Sequence, residues 1–335
     1  MYLDHAATSP LRPEAKCAME EGYALWANPS SPHAEGRRAR AALEDARERI
    51  KAALGWSGEL IFTSGASEAL WIALNRAKVD RRIVSAVEHD AVFRAAPDAE
   101  LVADESVFDA NTVLAIQHVN SETGTINPVS QMIETVRPAG TILLSDCAQS
   151  AGKLPLPDAD MLVVSAHKFG GPVGIGALLV RDFNLLEPIG GHERGYRQGT
   201  ENMPAALGMA AALEAAQEVD TAKKAALDEA VMALDRSILE QGGQIIDGGG
   251  VTAVHITAIA HPTLSAQAQL IRLDSEGIAV SAGSACSSGT LKKSRVLDAF
   301  GVSDEVAART IRVSTGWSTT PEELEKFAEA WKSLT

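Results

Sequence analysis

Residues Met161-Leu162-Val163-Val164-Ser165-Ala166-His167-Lys168-Phe169-Gly170-Gly171-Pro172 decide the fold. A short apolar run ends abruptly in Ser, His and Lys, and glycines followed by proline then forbid regular structure. A continuous run of this length suits a strand buried on both faces, as in a parallel sheet. Ligands of open α/β sheets bind outside the carboxyl ends of such strands. A lysine at a strand end can be desolvated and brought close to a carbonyl, which a Schiff-base lysine requires. The plain alternative is a surface lysine in a turn.

Outward from this stretch the same rhythm repeats. Runs at Leu60–Thr63, Arg82–Val87, Thr112–Val119, Thr141–Ser145 and Gly176–Val180 have strand length and Val/Ile/Leu content. Helical patterns cover Arg12–Trp26, Ala34–Leu54, Ser67–Ala77 and Val129–Val136. This alternation is that of a doubly wound α/β sheet. Pro204–Glu240 reads as two Ala-rich helices. Beyond Gly248-Gly249-Gly250 the pattern changes to strand Val251–Thr257, helix Ser265–Glu276, strand Ile278–Ser281 and strand Thr310–Val313, a smaller α+β lobe. No internal repeat or flexible linker is visible.

Composition narrows the class. The 335 residues are 46% hydrophobic, enough for a sizeable core and too many for a disordered chain. No run reaches the ~18–20 apolar residues of a membrane span. Asp and Glu number 44 against 30 Lys and Arg, a formal charge of −14 that disfavours nucleic acid and anionic lipid as partners. Met1-Tyr2-Leu3-Asp4-His5 has neither the basic start nor the apolar core of a secretory signal. The three cysteines, Cys17, Cys147 and Cys286, form no CxxC pair and no metal-ligand spacing, so the expected setting is cytoplasmic and reducing, with no metal. Cys17 lies inside a helical pattern and is expected in the core; Cys147 is expected to pack beneath the site.

Three further pieces carry chemistry. Asp146 follows an apolar run directly, at a strand end where a ligand would sit, although a turn-initiating Asp is the commoner role. Thr63-Ser64-Gly65-Ala66-Ser67-Glu68 joins a strand to a helix, so that free N–H groups and a hydroxyl can cradle a phosphate; a plain capping box is the alternative. In Ser281-Ala282-Gly283-Ser284-Ala285-Cys286-Ser287-Ser288-Gly289 only small residues surround Cys286, which suits an accessible thiol rather than a core one.

In order along the chain, these pieces join Tyr2–Thr8, Asn28–His33, Glu88-His89, Gly190–Asn202 and Ile311-Arg312-Val313-Ser314. Together they resemble the class V aminotransferase group of fold-type I pyridoxal-phosphate enzymes, and within it the cysteine desulfurases of iron–sulfur cluster assembly. The resemblance implies a large domain at 14–220 with a mostly parallel seven-stranded sheet. It also implies a small α+β domain, 1–13 with 221–335, that carries the cysteine loop.

By the resemblance, Lys168 holds pyridoxal 5'-phosphate as a Schiff base, His89 stacks on its ring, Asp146 pairs with the ring nitrogen, and Gln149 bonds the phenolic oxygen. Ala66, Ser67, Ser165 and His167 bind the phosphate, with Thr200 supplied by the second subunit of a homodimer. Arg312 grips the substrate carboxylate, with Asn28, Asn120 and Ser121 nearby; Ser121 stands where the family usually has an amide. Cys286 accepts sulfur from L-cysteine as a persulfide, for delivery to an acceptor protein such as an iron–sulfur scaffold. A selenocysteine lyase, a class V transaminase and a degenerate sulfur-transfer scaffold are the alternatives. A transaminase needs no thiol at Cys286, and a degenerate scaffold needs no Lys168, Asp146, His89 and Cys286 together.

Overall fold

A computed structural model of the chain describes residues 1–103, 106–218, 220–282 and 294–334. The chain divides into two compact units, 10–118 with 128–218, and 1–9 with 119–127 and 219–335. The expected boundaries miss the 119–127 excursion, whose nine residues belong with the smaller unit. Among the described residues no helix is long and apolar enough to cross a membrane.

The larger unit runs α1 (Pro13–Ala24), α2 (Ala34–Leu54), β1 (Glu59–Thr63), α3 (Ala66–Arg76), β2 (Arg81–Val84), α4 (Asp90–Ala95), β3 (Glu100–Leu101) and β4 (Thr112–Ala115). It continues with α5 (Val129–Val136), β5 (Ile142–Asp146), β6 (Met161–Ser165), β7 (Gly176–Val180) and α6 (Met203–Gln217). Among the described residues its seven strands lie in the order β1-β7-β6-β5-β4-β2-β3, with β7 antiparallel to both neighbours and the remaining pairs parallel. This is the α/β, mostly parallel sheet that the apolar runs imply.

Strand side chains alternate between faces, so each run feeds two cores. Phe62, Ile83, Leu114, Leu143, Leu162, Val164 and Leu179 pack with residues of α1, α2, α5 and α6. Their neighbours Ile61, Val84, Val113, Leu144, Val163 and Leu178 pack with α3 and α4 on the other face. Burial on both sides explains why these strands read as continuous apolar runs rather than alternating ones.

β1 ends the sheet, and its outer edge is occupied by a buried ion pair. Arg47 donates to Glu193 through Nη1 at 2.8 Å and Nη2 at 2.9 Å. The same Nη1 donates to the Leu60 carbonyl at 2.6 Å, and the Phe62 N–H donates to Glu193 Oε2 at 2.8 Å. Glu193 and Arg194 hold positive φ, 49° and 57°, a conformation costly for residues with a Cβ.

The smaller unit contains α7 (Thr221–Glu240), β8 (Gln244–Ile246), β9 (Ile256–Ala260), α8 (Ala266–Ser275), α9 (Arg295–Ala299), α10 (Asp304–Ala307), β10 (Thr310–Ser314) and α11 (Pro321–Ser333). Its antiparallel sheet, β10-β9-β8, packs Ile259, Ile311 and Val313 against Leu234, Ile238, Leu273, Phe327 and Trp331. The strand expected at Val251–Thr257 is corrected to Ile256–Ala260. Thr252 pairs instead with Thr125 of the 119–127 excursion, and a turn at Val254-His255 intervenes. Ile278–Ser281 is not a full strand either; Ala279 bridges Tyr2 and Ser281 bridges Arg312.

Candidate active site

β6 delivers Lys168. Its last residue, Ser165, is buried, and Ala166–Lys168 form one tight turn closed by Phe169 N–H and Gly171 N–H donating to the Ala166 carbonyl at 3.2 and 2.9 Å. Gly171 is required there, because a Cβ would lie 2.8 Å from that of Ala166. Arg12 pins the far side of the turn: its backbone N–H donates to the Gly170 carbonyl and its Nε to the Phe169 carbonyl, at 2.8 and 3.0 Å. His167 is half-buried, and burial followed by the charges of Lys168 and Lys153 pushes its pKa down to about 4.

The adjacent parallel strand β5 ends in Asp146, paired in register with Val163 of β6. Asp146 Oδ1 accepts from the Ala148 N–H at 2.9 Å, and burial raises the carboxyl pKa against the opposing pull of that bond, His89 and Lys168. His89 caps α4, its Nδ1 accepting from the Ala91 N–H at 3.1 Å, which leaves Nε2 as the protonated nitrogen of the neutral ring. Crowding by protein atoms lowers its pKa; Asp146 raises it and Lys168 lowers it further. Lysine, aspartate and histidine thus sense one another's charge at the carboxyl ends of the sheet. Gln149 is buried in the turn after β5, and so is Cys147, whose thiol pKa burial pushes up to about 12.

The third corner is the start of α3. Gly65 occupies the N-cap at φ 152°, and no side chain caps the helix. Glu68 accepts from the Ser64 N–H, one residue ahead of the cap, so no side chain takes up the N–H groups of the first turn itself. The first turn, with Ala66 and Ser67, therefore presents backbone donors and the positive end of the helix dipole. Gly176 of β7 lets Gly65 come this close, since a Cβ there would lie 2.8 Å from Gly65 Cα.

A model of the aminotransferase class-V family matches residues 1–107 and 100–327. The chain belongs to this family. It is 34% identical over 364 residues to the cysteine desulfurase IscS of Dictyoglomus turgidum, covering 97% of this chain and 91% of that one. Its fold superimposes on a NifS-like protein from Rickettsia africae with a TM-score of 0.90 at 26% identity, covering 100% and 99% of the two chains. A structure titled SspA in complex with cysteine matches with a TM-score of 0.77 at 28% identity, over 93% and 98%.

Class V aminotransferases generally use pyridoxal phosphate, and the donor set of this class V chain suits that group. It offers an amine, a buried carboxylate for a ring nitrogen and an uncapped helix N-terminus for a phosphate. In the smaller unit, Arg312 is buried on β10 and donates through Nη1 to the Ser121 carbonyl at 2.7 Å. Asn120 is buried with its Oδ1 accepting from the Glu122 and Thr123 N–H groups at 2.9 and 3.0 Å, so that face of the amide organises the 120–125 turn. Asn28 is exposed, its Oδ1 accepting from the Ser30 N–H at 2.8 Å, and Thr200 is exposed ahead of α6. Cys286 lies outside the described residues.

A further expectation fails at Cys17. Cys17 is exposed, not core. Helix α1 buries Ala15 and Gly22, seven residues apart on one stripe, and Cys17 sits about 200° round from Ala15. Two supporting residues carry no local sequence signature of their role: Arg12, which pins the Lys168 turn, and Glu88. The buried Glu88 accepts from the Gln117 N–H at 2.7 Å next to His89. A charged residue between prolines at Pro10 and Pro13, and an acid directly after the apolar run ending at Val87, are the available signals.

Proposed function

We propose that this class V chain is a pyridoxal-phosphate-dependent cysteine desulfurase, forming L-alanine from L-cysteine and carrying the sulfur on Cys286 as a persulfide. The observation that carries the reading is the placement of Asp146 and Lys168 at the carboxyl ends of adjacent parallel strands, with His89 in electrostatic reach of both. Likeness to cysteine desulfurases over nearly the whole chain supports the choice of reaction within the family.

Lys168 would hold the cofactor through Nζ, Asp146 would keep its ring nitrogen protonated, and His89 and Gln149 would orient the ring. Ala66, Ser67, Ser165 and His167 would take the phosphate, joined by Thr200 of a second copy of this chain. Bound there, pyridoxal phosphate supplies an electron sink next to the substrate Cα. Lys168 Nζ is the base that takes the Cα proton, while Arg312 holds the substrate carboxylate bidentately. Cys286 Sγ, as thiolate, forms a bond to the substrate sulfur as the sulfur–Cβ bond breaks. That electron pair stays on carbon, and a proton completes the methyl group of alanine. The persulfide then passes to a sulfur-acceptor protein, of which an iron–sulfur scaffold is one kind.

The test loads the protein with pyridoxal phosphate, supplies L-cysteine and measures alanine and protein-bound persulfide. Alanine and persulfide sulfur in equal amounts are expected in the first turnover. Amino-group transfer to a keto acid without sulfur on the protein would make the chain a transaminase instead. Sedimentation at micromolar concentration should give a dimer, and a monomer would remove Thr200 from the phosphate site.

A further inference from the structure

The Arg312 guanidinium is held on two sides within the smaller unit. Nη1 donates to the Ser121 carbonyl at 2.7 Å and Nη2 to Asp4 Oδ1 at 2.9 Å. The other Asp4 oxygen accepts from Ser281 Oγ at 2.7 Å. Ser281 is itself bridged to Arg312 through the backbone, as Asp4 is to Ser314 two residues further along β10. Both side chains are shielded, that of Arg312 8% exposed and that of Asp4 17%. Arg312 Nε is buried and has no hydrogen-bond acceptor among the described residues.

We infer that Asp4 is a positioning residue that sets both the aim and the effective charge of Arg312 toward a carboxylate. This rests on the reading that Arg312 holds the carboxylate of the substrate. An arginine on its own must freeze several rotamers to present its fork, whereas one already fixed at both terminal nitrogens binds without that cost. The unmatched Nε–H is a donor left for the incoming anion. Asp4 also places a negative charge against the same guanidinium, which weakens its pull on any carboxylate. Substrate and product carry the same carboxylate, so a site that gripped it with the full charge would also retain the product.

The two contributions separate by substitution. Asp4→Asn keeps an acceptor for Nη2 and removes the countercharge; Asp4→Ala removes both. The ligands are L-alanine and L-alaninamide, which differ only in the carboxylate, titrated by calorimetry into the pyridoxal-phosphate-loaded protein. D4N is expected to bind L-alanine about threefold more tightly than the parent. D4A is expected to bind it about tenfold more weakly than D4N. Alaninamide should bind all three alike. D4N binding alanine more weakly than the parent, or D4A matching D4N, would overturn the inference. If D4A does not fold, D4N alone decides by its sign. Arg312→Ala tests the underlying reading separately and should abolish the preference for alanine over alaninamide. An R312A protein that keeps the preference would show that the carboxylate binds elsewhere, whatever Asp4 does.

Discussion

Burial pushes His89 and Asp146 toward their neutral forms from opposite directions, the histidine pKa falling and the aspartate pKa rising, while the charge of each partly offsets the shift of the other. The unloaded protein therefore carries a carboxylate whose ionised state the fold disfavours. A protonated ring nitrogen would be its natural complement.

That strain has a sign that can be measured. A carboxyl with its folded pKa raised contributes stability that is fully present below its unfolded pKa and lost as pH rises through the folded value. Without cofactor, Asp146→Asn is expected to melt a few degrees above the parent at pH 7. The advantage should shrink as pH falls and vanish below the unfolded carboxyl pKa, where both chains carry a neutral group in both states. With cofactor the same variant should lose turnover by about a hundredfold or more, because an amide cannot keep the ring nitrogen protonated. Thermal melting against pH, with and without pyridoxal phosphate, checks both halves. A variant that melts below the parent at pH 7 would contradict the first.

Lys168→Ala removes the tether and the base together. Borohydride treatment of the loaded parent should leave a chain that keeps the mass of the reduced cofactor after denaturation. The variant should release all of it and make no alanine above background. Wild-type turnover in K168A would reassign the base.

The three thiols should separate cleanly. Cys286→Ser is expected to lose persulfide and alanine formation while still binding pyridoxal phosphate. Cys17 is exposed, so Cys17→Ser should leave the rate unchanged. Cys147 is buried with its pKa pushed up to about 12, which keeps it protonated and unreactive at neutral pH. Alkylation of the folded protein at pH 8 should therefore mark Cys17 and spare Cys147 until the chain is unfolded.

The buried Arg47–Glu193 pair is expected to make a large contribution when broken from one side. Glu193→Ala leaves the buried Arg47 guanidinium with only the half-exposed Glu44, to which Nε donates at 3.0 Å, and should cost roughly 3 kcal/mol in denaturant unfolding. Replacing both, Arg47→Met with Glu193→Leu, should recover part of that loss, since no buried charge remains and Glu44 stays half in solvent. A cost below about 1 kcal/mol for the single change would class the pair with exposed ones.

Local signals carried much of this architecture. The runs ending at Asp146 and Ser165 were legible because strands covered on both faces show no alternation and stop sharply where the polar ends begin. Contacts distant in sequence were not. Arg47 and Glu193 lie 146 residues apart, and nothing at either position announces the other. The left-handed turn at Glu193-Arg194 was also invisible, because non-glycine residues seldom adopt it. β9 slid by several residues because Val251 and Thr252 have strand-forming side chains, yet their backbone partners sit at Thr125 and Ile126. β8, three residues after a glycine pair, is too short for any periodicity. At Ser121 the sequence suggested a missing amide side chain, whereas the structure gives the position a backbone carbonyl to offer Arg312.

An open sheet has two rims, and each is a template onto which an extended segment of another chain could add. At β3 the rim is two residues long and offers little purchase. At β1 it is five residues long and largely apolar, the more hazardous case. There Arg47 and Glu193 occupy a donor and an acceptor that an added strand would need, as a charged and non-extensible substitute for one. Loss of this pair would therefore show first as filament growth or turbidity in concentrated solution, at temperatures where the single molecule is still folded.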